Sequence, residues 1–309
     1  DVLRWYLMSG SQIWLPKRFD ENGAVEVLRK YFSTLQNSYS FFALYATIDK
    51  FNPLSRQPSD LPVIDIWLIS RLNVLIKNCS EAYENFDFTR VTRLLSNFVI
   101  NELSNWWIKC SRKRFWGTEM SNDKLSAYQA LFNTLITVSK LMAPISPFFA
   151  EDIYLRLTEN LNGFAESVHH CDFPVVDEDK INKELDYNMA TAENIVRLGR
   201  AARKKANIKV RQPLSRLIVI NDKGKPPAGL ENLHGIILEE LNIKNIEFTN
   251  NLRDYIVLKA EPIFKQIGPR FGKLAQKVAK AINTMTSDQI NQFQKNGKIK
   301  INVEGTEKV

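Results

Sequence analysis

Between residues 16 and 174 apolar side chains return every three or four positions, and no segment alternates apolar with polar, so this part of the chain must fold as packed helices. The stretch 21–51 contains no proline and carries Val25, Leu28, Tyr31, Phe32, Leu35, Phe42, Tyr45 and Ile48 at near-helical steps. That spacing predicts one long helix with a buried face. Asn52-Pro53 through Pro58-Ser59 ends it, because proline pushes its predecessor out of helical geometry. Asp60, followed by Pro62, is the expected N-cap of the next helix, whose stripe of Ile64, Trp67, Leu68, Leu72, Leu75 and Ile76 runs to Tyr83. After Asn85-Phe86-Asp87 a further helix runs from Phe88 through Leu94, Phe98 and Leu103 to Trp107. Ser121-Asn122-Asp123 is expected to cap a helix over 124–142, and Pro147 to open another over 147–158 with Phe148, Phe149, Ile153 and Tyr154. Five amphipathic helices joined by short turns predict a helical bundle. Ahead of them, D-V-L-R-W-Y-L-M-S-G places Val2, Leu3, Tyr6 and Leu7 near helical spacing, with Gly10 at the end of the turn.

The pattern changes after Pro174. A polar, acidic connector over 175–183 leads into one long helix over 179–207, whose far end carries Arg197, Arg200, Arg203, Lys204 and Lys205, followed by Lys209 and Arg211. No acidic residue falls between Asn194 and Asn221, a run that suits either a solvated face or an anionic partner. Alternation follows: strands over 217–220, 243–249, 254–259 and 298–303, with helices over 230–241, 272–285 and 287–295, the last capped by Ser287. The expected fold is mainly α, a helical bundle followed by a small α/β C-terminal domain. Its parts are 1–15, a region contacting a neighbouring core; 16–174, the bundle; 175–212, the basic connecting helix; and 213–309, the α/β domain.

A formal net charge of +8 and a pI near 9.2 tilt the chain toward anionic partners. Cys79, Cys110 and Cys171 are odd in number and widely spaced, which excludes a disulfide framework and implies a reducing compartment. His169, His170 and Cys171 lack the second ligand pair that a structural zinc site recruits, so no metal is expected. No apolar run approaches the roughly 20 residues of a membrane span. No phosphate loop, dinucleotide-binding turn or nucleophile elbow is present. The pairs Glu151-Asp152 and Glu239-Glu240 are too common a feature to signal catalysis. A binding role is the simpler reading, with no catalytic residues.

One segment concentrates the chemistry that remains. Residues 101–117 crowd Trp106, Trp107, Phe115 and Trp116 against Lys109, Arg112, Lys113 and Arg114. Flat rings stack on splayed bases while cations engage phosphates and release counterions. Cations also favour the last turn of any helix, and Trp is usually core, so an ordinary helix end accounts for the same residues.

Four segments, in order, resemble class I aminoacyl-tRNA synthetases, and within them the isoleucyl branch. D-V-L-R-W-Y-L-M-S-G is similar to the helix that follows the family's K-M-S-K-S loop. N-W-W-I-K-C-S-R-K-R-F-W-G at 105–117 resembles a segment of the anticodon-binding bundle, L-M-A-P-I-S-P-F-F-A-E-D-I-Y at 141–154 a later one, and L-G-R-A-A-R-K-K-A-N-I-K-V-R-Q-P-L at 198–214 the isoleucyl C-terminal segment. S-R-K-R-F-W-G and K-V-R-Q-P-L favour the isoleucyl branch over the valyl, leucyl and methionyl ones. The chain departs from the family at Val2, at Trp107, where tyrosine is common, and at Lys109-Cys110, where two arginines often stand. The family's H-I-G-H and K-M-S-K-S signatures are not in these residues.

The resemblance implies a C-terminal, tRNA-gripping portion of a ligase whose adenylate site, with its ATP and Mg, and whose editing domain lie elsewhere in the parent chain. It implies as partners an isoleucine-accepting tRNA and those two domains, a monomer in the cytoplasm, and no membrane. Arg112, Lys113 and Arg114 are then expected on phosphates, with Trp106 or Trp116 against anticodon-loop bases. Trp107 and Lys109 flank them, and Arg197, Arg200, Arg203, Lys204, Lys205, Lys209 and Arg211 form a second anion-facing strip. A rival reading, from a different class, is a non-catalytic helical scaffold that docks proteins through the same Trp and Arg residues.

Overall fold

The computed structural model describes residues 1–12, 14–251, 255, 259–299, 301–303 and 306–308. They form two units, residues 1–217 with 227–246, and residues 218–226 with 247–309.

The first unit is all helix. Helix α1 (Val2–Gly10) buries Trp5, which stacks on Tyr31 with ring centroids 4.1 Å apart. Its last carbonyls, at Ser9 and Gly10, accept hydrogen bonds from the Arg93 guanidinium at 3.3 and 3.1 Å, a basic cap for a helix end. The long helix expected over 21–51 is present as α2 (Glu21–Val27), a π-wound turn (Leu28–Phe32) and α3 (Ser33–Asp49), ended by Lys50 in the left-handed region. Its stripe is only partly inward: Tyr31, Phe32, Leu35 and Phe42 are buried, whereas Leu28 and Ile48 face solvent. The π turn resets the helical phase between them.

Helix α4 (Val63–Glu84) starts at Pro62 rather than at Asp60. The Asp60 carbonyl instead accepts from the Asn122 amide, whose own oxygen accepts from the Ser59 N–H at 2.7 Å. Helix α5 (Phe88–Asn97) is capped by Asp87 and continues through a π-wound stretch, Phe98–Ile108, into α6 (Lys109–Ser111) and a tight 3-10 turn, Arg112–Phe115. Winding with i→i+5 bonds brings Phe98, Leu103 and Ile108 onto one buried line and turns Trp107 inward as well. Helices α7 (Asn122–Met142), capped by Ser121, and α8 (Pro147–Thr158), with proline in its first turn, complete the bundle.

Phe115 lies at the centre of its aromatic core, 5.0 Å from Phe41 and 4.8 Å edge-on to Tyr128. Cys79 is sealed inside, its thiol pushed up to about 12 by burial, and Cys171 donates to the Tyr154 hydroxyl at 3.2 Å.

Helix α9 (Lys183–Lys205), capped by Asn182, packs on α4, and α10 (His234–Leu241) packs on α9. The second contact is close because residue 199 is glycine: a Cβ there would sit 2.6 Å from Leu241 Cδ1. The segment 230–241, expected inside the α/β domain, therefore belongs with the bundle.

In the second unit, strands β1 (Leu217–Ile220) and β2 (Ile246–Thr249) form a two-stranded sheet. Helices α11 (Phe264–Phe271), α12 (Ala275–Asn283) and α13 (Ser287–Asn296) follow, with an antiparallel hairpin of β3 (Ile301–Val303) and β4 (Thr306–Lys308). Ile267 and Val278 form its small core with Phe271 and Ile282 against them. The cap of α13 is Thr286, in a reciprocal box with Gln289, rather than Ser287. The strand expected over 254–259 lies outside the described residues except at its positions 255 and 259. No described helix is long and apolar enough to cross a membrane.

Candidate nucleic-acid interface

The basic-aromatic segment divides between core and surface. Trp107 is fully buried and donates from Nε1 to Asp65 Oδ1 at 2.9 Å; Trp106 is buried too, with its Nε1 3.2 Å from Met189 Sδ. Neither ring is presented for base stacking. Trp116 is 59% exposed and lies against no other aromatic ring among the described residues.

Arg114 is a further correction. Its side chain keeps 13% of its surface and forks onto Asp65, Nη1 to Oδ1 at 2.8 Å and Nη2 to Oδ2 at 2.6 Å, while Nε reaches Asp123. Asp65 itself has no exposed surface and accepts also from Ser126 Oγ at 2.6 Å. A carboxylate so enclosed needs a full set of donors, and the fork supplies the counter-charge. Asp65 was not anticipated, although a carboxylate inside an apolar stripe, between Ile64 and Leu68, is the signal that would have found it. Arg112 points outward with no partner among the described residues.

On α9, Arg203 turns inward. It is 5% exposed and donates to four backbone carbonyls, Lys209 and Gln212 at 3.0 Å each, Leu241 at 2.8 Å and Asn242 at 3.2 Å. Asn242, left-handed at the end of α10, adds Nδ2 bonds to the carbonyls of Val210 and Arg211 at 3.0 Å each. Arg203 is thus a clamp on the loop after α9 rather than part of an anion-facing strip. The loop it holds presents Lys209 and Arg211 to solvent beside the exposed Lys204 and Lys205 at the helix end.

Higher on α9, Glu193 faces Glu102 and Arg71. Arg71 is forked onto Glu102 at 2.9 and 3.1 Å and reaches Asp186 at 3.5 Å, so its charge is already shared. Burial, then repulsion from Glu102, pushes the Glu193 carboxyl up from 4.5 to about 7, against the pull of Arg71. A raised carboxyl binds its proton more tightly folded than unfolded. Its contribution to stability is therefore full below about 4.5 and gone above about 7. Glu193→Gln is expected to flatten that fall and to stabilise the chain at pH 8 by on the order of 2 kcal/mol, read from urea midpoints at pH 5 and pH 8.

The two basic segments meet at α10. Glu240 Oε2 accepts from Lys109 Nζ at 2.5 Å and also from Arg200 Nη2, joining residues 91 positions apart through one oxygen. The same carboxylate and burial push the neighbouring Cys110 thiol up, burial being the larger effect. Glu239, beside it, accepts from Lys113. Within the Glu239-Glu240 pair it is Glu240 that fastens both basic segments. On α9, Arg197, Arg200 and Lys204 follow helical spacing along one edge, and Arg197 engages only the Asn194 amide oxygen at 2.7 Å. Arg112, Arg197, Lys204, Lys205, Lys209 and Arg211 have no carboxylate partner among the described residues, and the exposed Trp116 follows Arg112 by four positions in the chain. Cations without carboxylate partners and an exposed indole are groups able to hold phosphates and a stacked base.

Residues 65–218 match the family model described as the anticodon-binding domain of tRNA ligase. Over its whole length the chain is 42% identical to an isoleucine–tRNA ligase of Bacteroides thetaiotaomicron. Residues 65–218 are an anticodon-binding domain of the tRNA ligase family. Relatives from Porphyromonas gingivalis and Clostridium novyi, also isoleucine–tRNA ligases, align over 99% of this chain at 40% and 42% identity. The chain spans 27% to 29% of the length of these curated relatives. A solved ternary complex of an Agrobacterium radiobacter leucyl-tRNA synthetase with tRNA overlaps 85% of this chain and 27% of its own, at a TM-score of 0.43 and 14% identity, too loose a likeness to bear on the interface.

Proposed function

We propose that this chain is the part of an isoleucine–tRNA ligase that grips the anticodon arm of its tRNA. The observation that carries the reading is the Glu240 bridge, which sets the helix-end cations and the α9 cations side by side with Trp116 exposed nearby in the segment. The names and coverage of the relatives support isoleucine as the amino acid and a C-terminal place in a longer protein. In that protein, activation of isoleucine with ATP and Mg, and editing, fall to regions outside this stretch, which act on the tRNA that this surface holds. A monomer in the cytoplasm suits a face that engages RNA rather than a second copy.

The test is a titration of the chain with an isoleucine-accepting tRNA transcript across a salt series. Replacing Arg112 and Arg197 together by alanine is expected to weaken binding about tenfold or more and to lower the log–log salt slope by about 1.5–2. Affinity and slope unchanged by the double replacement would overturn this surface as the binding site. The scaffold reading draws on the burial of Trp106 and Trp107, but leaves unexplained the exposed Trp116 and six cations that have no carboxylate partner among the described residues.

A further inference from the structure

Glu239 and Glu240 are neighbours near the end of α10, yet their surroundings differ. Glu240 keeps 10% of its side-chain surface and is locked between Lys109 and Arg200. Glu239 and its partner Lys113 keep 54% and 67%, so their charges stay hydrated and the pair gains little from forming. Lys113 lies between Arg112 and Arg114 in the 3-10 turn that leads to Trp116.

We propose that Glu239 is a resident stand-in for a tRNA phosphate: it occupies the acceptor position at Lys113, and binding of tRNA exchanges that carboxylate for a phosphate oxygen. The inference rests on the tRNA-gripping reading of this face and adds a selection step to it. A tethered carboxylate stays within reach of Lys113 at a high effective concentration, so it competes with an isolated anion of weak affinity even though the pair itself gains little. A polyanion already held at Arg112 and Arg197 delivers its next phosphate from an equally tethered position, and the exchange then proceeds. Glu239 thus lowers affinity for short or sparse anions more than for a folded RNA.

Two features of the fold support this role. The packing of α10 on α9 places the Glu239 backbone so that its carboxylate reaches Lys113. Its companion Glu240 performs the positioning, which leaves Glu239 exchangeable without loss of the contact between the two basic segments.

The experiment compares wild type, Glu239→Gln, Lys113→Met and the double variant, using an isoleucine-accepting tRNA transcript in a salt series and inorganic phosphate as competitor. Glu239→Gln is expected to bind tRNA about three- to tenfold more tightly at low salt, with a slope steeper by up to about 0.9 and with stronger competition by phosphate. Lys113→Met is expected to abolish those gains in the double variant, with melting midpoints unchanged throughout. If wild-type binding is salt-dependent and sensitive to Arg112→Ala with Arg197→Ala, but Glu239→Gln leaves affinity and slope as they were, the exchange is overturned while the tRNA surface stands. If the Arg112 and Arg197 replacements have no effect either, both readings fall.

Discussion

Arg114→Ala is expected to cost the bundle about 3–5 kcal/mol, because it removes the sole guanidinium fork from a carboxylate with no exposed surface. For a unit of this size that corresponds to a fall in melting midpoint of roughly 6–20 °C. Trp107 and Ser126 would still donate to Asp65, but neither carries charge, so the ionised carboxylate would be stranded among apolar neighbours. Arg114→Lys is expected to recover only part of the loss, since one ammonium cannot satisfy both oxygens in the plane of the fork. Urea denaturation followed by circular dichroism measures this. The expected companion result is that tRNA affinity, measured where the variant remains folded, keeps the wild-type salt slope. A slope lowered by about one, with stability intact, would return Arg114 to the phosphate-binding set.

The second large effect is expected at Arg203. Arg203→Met leaves four carbonyls, one of them in a buried bond and three in part-buried ones, without a charged donor, a loss of about 2–4 kcal/mol. Here stability and binding should fall together, because the same guanidinium holds the loop that presents Lys209 and Arg211. Hydrogen exchange at 206–212 is expected to accelerate in the variant, and tRNA affinity to drop further than the loss of one cation explains. Unchanged exchange in that loop would refute the clamp. The two arginines illustrate one rule from opposite sides: within a basic run, the members that the fold consumes are those with preformed acceptors, whether carboxylate or carbonyl.

That rule marks how far the residues alone could lead. Helix α8 and the cap at Ser121 were legible because local chemistry decides them: proline in a first turn, a hydroxyl before a free N–H. The start of α4 was not, because Asp60 is engaged by Asn122 from another helix, a tertiary partner no local pattern reveals. Helix α11 escaped notice for a similar reason, since Pro269 lies inside it and proline reads as a break. At the interface, the cationic segments were visible as composition, but the division of their members into inward and outward depended on π winding over Phe98–Ile108 and on acceptors contributed by α4 and α10. Glu239 and Glu240 were unremarkable in the sequence because a carboxylate pair acquires meaning only from what faces it.

Gly199 lies beneath all of this. With no side chain it carries no charge and offers nothing to a nucleic acid, yet a single added carbon would meet the Leu241 side chain at 2.6 Å, so that Leu241 would have to give way for α9 and α10 to keep their contact. Glu239 and Glu240 ride on α10, so the helix contact that Gly199 makes room for also carries the carboxylates that meet Lys109, Lys113 and Arg200. The placement of charge on this face thus draws on a close approach at a residue that no tally of charges would include.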